Sequence, residues 1–326
     1  PTPEKSPLLA GYKKGFFLQS PDKKFKLKIS GRVQARFAYE GIDGFGDTDD
    51  VSGEGTDDEM SFLIPRARLS LKGHAFSKAL TYKFQTDFGK GAPSLKDFLV
   101  NYKFSKNLQI RVGQWKRPFS RHQINSSGKL QLVDRSFTDK KFGQGRDIGV
   151  AIHNGYEKSP TFEWAVGVFN GTSVKPSIAT SVSGNATDGF SAKSKQSNTV
   201  DRFKPALVAR VGYNLNGIKG YSEGDFKGGG FRLAIGAGAM YLAGYDDETG
   251  ALRANLDFVM KIKGFALSGA FFVAMDDSAD ANGDLSLGMS STALRAQASY
   301  LINKKYQPVV GFSMFNPETV SAATPS

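Results

Sequence analysis

Two chemistries alternate along residues 24–36. Phe25, Leu27, Ile29, Val33, Ala35 and Phe37 fall on one parity, and Lys24, Lys26, Lys28, Arg32 and Arg36 on the other. Side chains two apart share a face of a strand, so this stretch predicts a strand that is apolar on one side and cationic on the other. The split recurs. In 63–72, Leu63, Ala67, Leu69 and Leu71 oppose Arg66, Arg68 and Lys72. In 252–263, Leu252, Ala254, Leu256, Phe258, Met260 and Ile262 oppose Arg253, Asn255, Asp257, Lys261 and Lys263. The same pattern predicts strands over 24–40, 61–74, 79–89, 95–104, 107–117, 146–154, 161–170, 204–215, 230–244, 251–263, 265–275, 291–302 and 305–316.

The connections alternate as well. Segments 41–60, 118–145, 171–203 and 276–290 are long and polar, whereas 75–78, Ser105-Lys106, Gly264 and Asn303-Lys304 are tight. Two-faced strands joined alternately by long loops and tight turns predict an all-β chain, a transmembrane antiparallel β-barrel with its apolar face in lipid. The Gly-rich stretch 216–229 is the exception, a turn longer than the pattern requires. Residues 1–23, rich in Pro and Lys, are expected to form a loose periplasmic segment, leaving 24–326 as barrel. Single-chain barrels use even strand numbers, so about thirteen strands and a loop-like tail from Asn316 onward imply that roughly three more complete the structure.

Composition sharpens this picture. The formal net charge is +12, with 37 Gly, 26 Phe and no Cys. The charge points to anionic partners. The missing Cys removes disulfides, thiolate metal sites and cysteine nucleophiles, and suits export through an oxidising periplasm, with any signal peptide already removed. No apolar run reaches the length of a membrane helix. On the parity above, the lumen receives Lys24, Lys26, Lys28, Arg32, Arg36, Arg66, Arg68, Lys72, Lys83, Arg111, Arg210, Arg253 and Arg295. Such a wall favours anions, and the planar guanidinium suits phosphate. Luminal carboxylates, namely Glu40, Asp87, Asp97 and Asp147, offer the competing outcome of a balanced wall.

Several stretches together resemble the phosphate-selective porin O and P family. They are 62–69, reading FLIPRARL; 82–88 with Leu95-Lys96-Asp97; 111–120, reading RVGQWKRPFS; Asp134-Arg135-Ser136; and 145–150, reading GRDIGV. The resemblance covers about residues 25–170. It implies sixteen strands, a homotrimer, an inward-folded third loop and anion-selective diffusion. It also implies that 118–145 is the constriction loop, with Arg121, His122, Lys129, Arg135, Lys140 and Lys141 as its candidate charges.

The remaining motifs carry less. Loop 41–60 holds eight acidic residues from Asp43 to Glu59 and no basic one, which suits either a solvated loop or cation-bridged lipopolysaccharide. Asp280 and Asn282 partly match a calcium loop, but Ser278 and Met289 stand at its first and last ligand positions, so no metal is expected. His74, His122 and His153 form no catalytic motif, and no cofactor fingerprint occurs. The sequence therefore reads as a non-enzymatic outer-membrane porin whose surroundings are lipid, lipopolysaccharide and small anions, not nucleic acid. A weakly selective general-diffusion porin, or an adhesin working through its loops, are the rival readings.

Overall fold

The computed structural model describes residues 8–40, 59–91, 93–143, 145–171, 177–185, 189–197, 203–246, 249–276 and 291–317. Its strands are β1 Leu9–Tyr12, β2 Phe16–Gln19, β3 Lys26–Glu40, β4 Glu59–His74, β5 Leu80–Asp87, β6 Ser94–Lys103, β7 Gln109–Lys116, β8 Arg146–His153, β9 Phe162–Phe169, β10 Ser177–Asn185, β11 Gly189–Ser197, β12 Ala206–Leu215, β13 Arg232–Asp246, β14 Thr249–Ile262, β15 Phe265–Asp276, β16 Ser291–Tyr300 and β17 Val309–Asn316. Two short helices, α1 Arg121–Ile124 and α2 Phe137–Gly143, lie between β7 and β8. Fifteen strands follow one another in a single antiparallel sheet, and β10 and β11 pair separately as a hairpin. Each of the thirteen predicted strands has its counterpart. The chain divides into two compact units, Pro1–Phe98 and Leu99–Ser326.

In the first unit, residues expected to be loose form the β1–β2 hairpin, with Tyr12 opposite Phe16 and β2 paired to β3. Four-residue strands are too short to show a period, which is why the pattern did not mark them. Along β3 from Gly31 to Tyr39 the odd positions are exposed and the even ones half-buried. Val33 is 71% exposed, while Arg32 and Arg36 lie on the sheltered side.

Strand β4 departs from the sequence reading at one point. Gln34 pairs with Arg66 but Arg36 pairs with Leu63, so Ile64 and Pro65 together face Ala35. This is a β-bulge, and it gives Pro65, which has no N–H to donate, a place inside a strand. The extra residue reverses the parity of β4. Met60, Phe62 and Ile64 are exposed on one side of it and Leu69 on the other, whereas Leu63 shares the face of Arg36 instead of joining the apolar row.

In the second unit the alternation is cleaner. On β14, Arg253, Asn255, Asp257 and Lys261 are buried, and Leu252, Leu256 and Phe258 are exposed. On β12, Arg210 and Asn214 are buried between the exposed Leu207, Val211 and Tyr213. The sheet is thus inside-out, with its large apolar side chains outward in rows. Water disfavours such a surface and hydrocarbon accepts it. The tight turns have the geometry that hairpins demand: Ile262 pairs with Phe265 across Lys263 and Gly264, both in the left-handed region at φ 48° and 90°. No described helix is long and apolar enough to cross a membrane.

Candidate functional site

The segment between β7 and β8 packs on the polar face of the second unit. Two aromatic side chains seat it: Phe119 and Phe142, both fully buried, lie against Phe272 of β15 at ring separations of 6.5 and 5.2 Å. Trp115 and Phe169 belong to the same apolar cluster. Ser120 caps α1 by accepting from the Gln123 N–H at 3.2 Å, and the Lys116 ammonium donates to the carbonyls of Ile124 and Asn125.

Next to Phe119 the wall recedes. Glu163 of β9, Gly212 of β12, Gly236 of β13 and Asp257 of β14 are successive neighbours across four strands, so two carboxylates flank a floor of two glycines. Two guanidinium groups fill this hollow. Arg210 is bidentate to Asp257 at 2.7 and 2.9 Å and reaches Glu163 at 3.3 Å. Arg121, arriving from α1, bonds Asp257 at 2.9 Å and Glu163 at 3.0 Å. A Cβ at Gly236 would collide with the Arg210 guanidinium, and one at Gly238 with the Phe119 carbonyl. Glycine is therefore required at Gly238 by the close approach of the segment's backbone, and at Gly236 it leaves room for the guanidinium of Arg210. Tyr221 closes the hollow, donating to Glu163 at 2.8 Å with its ring 4.9 Å from the Arg121 guanidinium. Burial pushes the Tyr221 phenol well up, which keeps that proton in place. The group of two Arg and two acids is neutral.

Tyr221 belongs to the long turn 216–231, which folds back onto the same face and buries Ile218, Tyr221, Glu223 and Asp225. Asp225 anchors the turn, accepting twice from Arg232 at 2.8 Å and from the Gly264 N–H at 2.9 Å. Glu223 meets the segment, accepting from the Gln131 N–H at 2.9 Å and standing 3.1 Å from His122 Nε2. His122 Nδ1 lies 2.9 Å from Asp139 of α2, and Arg295 of β16 holds the same carboxylate at 3.2 Å.

The basic residues named from sequence divide into two kinds. In the second unit they are buried among acids: Arg210 and Arg121 as above, Arg295 with Asp139, and Arg111 bidentate to Glu157 at 3.1 and 3.2 Å. Arg253 is 1% exposed on the same parity of β14 as Asp257. Of the loop candidates, Arg135 donates to the His122 carbonyl at 3.1 Å, Lys129 is exposed with its ammonium 3.4 Å from the Tyr221 carbonyl, Lys140 is exposed and Lys141 half-buried. The acids at the heart of the site, Glu163, Asp257 and Glu223, were not among the predicted carboxylates. Asp257 is visible in its alternation with Arg253, but its pairing with Arg121 and Arg210 is not.

In the first unit cations also stand opposite cations. Lys28, Lys72 and Lys83 lie side by side across β3, β4 and β5, with Arg32, Arg68 and Asp87 in the parallel row below. Arg68 pairs with Asp87 at 2.7 Å and Lys83 with Asp97 at 2.5 Å. Arg66 donates to Gln34 at 3.2 Å, and Lys28 to the Lys13 carbonyl at 2.5 Å. Lys26 sits 4.5 Å over the Phe17 ring, Lys24 is exposed beside Asp22 and Arg36 is half-buried. Loop 41–58, the calcium-like pair Asp280 and Asn282, and the tail from 318 lie outside the described residues.

An antiparallel sheet with an apolar exterior, and a chain segment ion-paired to its polar face, defines a transmembrane β-barrel channel protein. The sequence signature of the phosphate-selective porin O and P family matches residues 38–218, and the chain belongs to that family. It is accordingly a porin of the bacterial outer membrane. A solved structure that aligns with it, the outer membrane channel DcaP of Acinetobacter baumannii, is 16% identical over 94% of this chain and 93% of that one, with a TM-score of 0.43. No curated protein sequence matches the chain.

Proposed function

We propose that this porin passes small anions in preference to cations, with phosphate or other oxyanions as its solutes. The row Lys28–Lys72–Lys83 carries the reading. Like charges directly opposite on neighbouring strands are destabilising, and the fold retains three in line. Such a row lowers the energy of an anion passing along it and raises that of a cation. Arg32, Arg36, Arg66 and Arg68 extend the same face, and Asp87 and Asp97 are among the carboxylates on it. The family's name associates relatives with phosphate, and the guanidinium fork suits that ligand.

The segment 118–145 is proposed as the constriction. The chain is proposed to assemble as a homotrimer among lipid and lipopolysaccharide, a reading that rests on the family resemblance. Neutralised arginines such as Arg210 favour the second reading, a general-diffusion porin of weak selectivity. The reversal potential of single channels in a KCl gradient, repeated with phosphate, separates the two. Chloride passing ahead of potassium, with current inhibited by phosphate, supports the first reading. A reversal potential near zero supports the second.

A further inference from the structure

Each ring nitrogen of His122 faces a carboxylate: Nδ1 lies 2.9 Å from Asp139 Oδ2 and Nε2 3.1 Å from Glu223 Oε1. All three side chains are buried. A neutral imidazole has one N–H and one lone pair, so between two carboxylates one of its contacts would set lone pair against lone pair. An imidazolium donates at both.

With both carboxylates ionised, the surroundings balance only in that state. Arg295 from β16 holds Asp139 at 3.2 Å, and Ser120 donates to its other oxygen at 2.6 Å. Glu223 accepts from the Gln131 N–H at 2.9 Å, from Gln297 of β16 at 3.1 Å and from Asn125 at 3.5 Å. Arg135 and Lys129, the other cations nearby, are engaged with backbone carbonyls. With His122 charged, it and Arg295 offset Asp139 and Glu223; with His122 neutral, a buried negative charge is left over. The carboxylates behave accordingly. Burial raises both, yet His122, with Arg295 and Ser120 for Asp139 and with Gln131 and Gln297 for Glu223, brings each below its ordinary value.

We propose that His122 is a positioning residue whose second proton clamps the segment 118–145 to the turn 216–231, so that the steadiness of the constriction depends on pH. The clamp joins three elements distant in sequence: α1, α2 and the over-long turn for which the strand pattern has no use. The proposal rests on the segment being the constriction, as proposed above, and does not depend on which ion the channel prefers.

The test uses the full chain, with nitrogen-labelled histidine in detergent micelles and unlabelled in planar bilayers. The signal of His122 is identified by its loss in His122→Gln, since the chain has three histidines. Both ring nitrogens of His122 are expected to carry a proton, each donated to its carboxylate, under the conditions in which the channel is quiet. Open-channel current noise is expected to rise several-fold as the proton is titrated off. In Glu223→Gln the noise is expected to be high at every pH; should that variant fail to fold, the wild-type titration decides alone. A neutral tautomer in the quiet channel would overturn the clamp and leave the constriction reading standing. A doubly protonated ring with pH-independent noise would overturn the proposal by removing the constriction reading.

Discussion

Arg210 and Asp257 meet through two parallel hydrogen bonds, of 2.7 and 2.9 Å, although β13 runs between their strands. They reach each other because β13 contributes Gly236 at the crossing point. The pair is fully desolvated, and Arg121 lies over it. Taking one partner from such a group strands the others, since a buried charge without its counterion costs far more than the pair contributes.

Asp257→Ala is therefore expected to destabilise the protein by about 3–5 kcal/mol, leaving two guanidinium groups with Glu163 as their remaining carboxylate. Denaturant unfolding in detergent measures this. A loss under about 1 kcal/mol would mean that water enters the hollow and solvates both arginines.

Gly238→Val places a side chain where the Phe119 carbonyl lies. The expected outcome is a folded sheet with 118–145 displaced. Limited trypsin digestion should then cut at Arg121, Lys129 or Arg135, sites that the wild type protects or cuts slowly. Equal digestion of both proteins would show that the segment is already loose.

The bulge in β4 predicts a reversal in labelling. In a chain without native Cys, single cysteines at 28, 32 and 63 should react with a membrane-impermeant thiol reagent, whereas those at 33, 62 and 69 should not. Reaction at 62 instead of 63 would contradict the pairing of Arg36 with Leu63.

Lys72→Glu breaks the row of three lysines at its middle. Anion preference should fall measurably in reversal-potential recordings, because the substituted charge repels at short range what the lysine attracted. An unchanged reversal potential would place the solute path elsewhere.

Acid should release the segment. Asp139 and Glu223 have folded-state pKa values below their ordinary ones. Their contribution is complete above the unfolded values of about 4 and disappears as pH falls through the depressed values. Trypsin-accessible cleavage is too slow at such pH, so pepsin cutting within 118–145, absent at about pH 5 and appearing below about pH 3, is the measurement.

Strand positions were legible because a barrel wall repeats every two residues, and β3, β12 and β14 write that repeat in full. The hairpin β1–β2 was too short to write it, and β10–β11 is too polar. The site was legible in part. Arg121 and Arg210 stand out as charges, but their partners Glu163 and Asp257 come from elements tens of residues away, and their neighbours Gly236 and Gly238 look like ordinary sheet glycines. What unites them is tertiary approach, which leaves no periodic mark. The length of the turn 216–231 was the one external sign that something folds back.

The bulge at Ile64–Pro65 gives β4 two reading frames. A deletion elsewhere in a strand swaps its faces from that point onward; deleting Pro65 would instead remove the bulge and leave Met60, Phe62 and Ile64 on the face of Ala67 and Leu69, with Leu63 still beside Arg36 and Arg66. The imino acid that looks least at home in a strand is thus the residue that β4 can lose and still keep both of its ends in phase with the membrane.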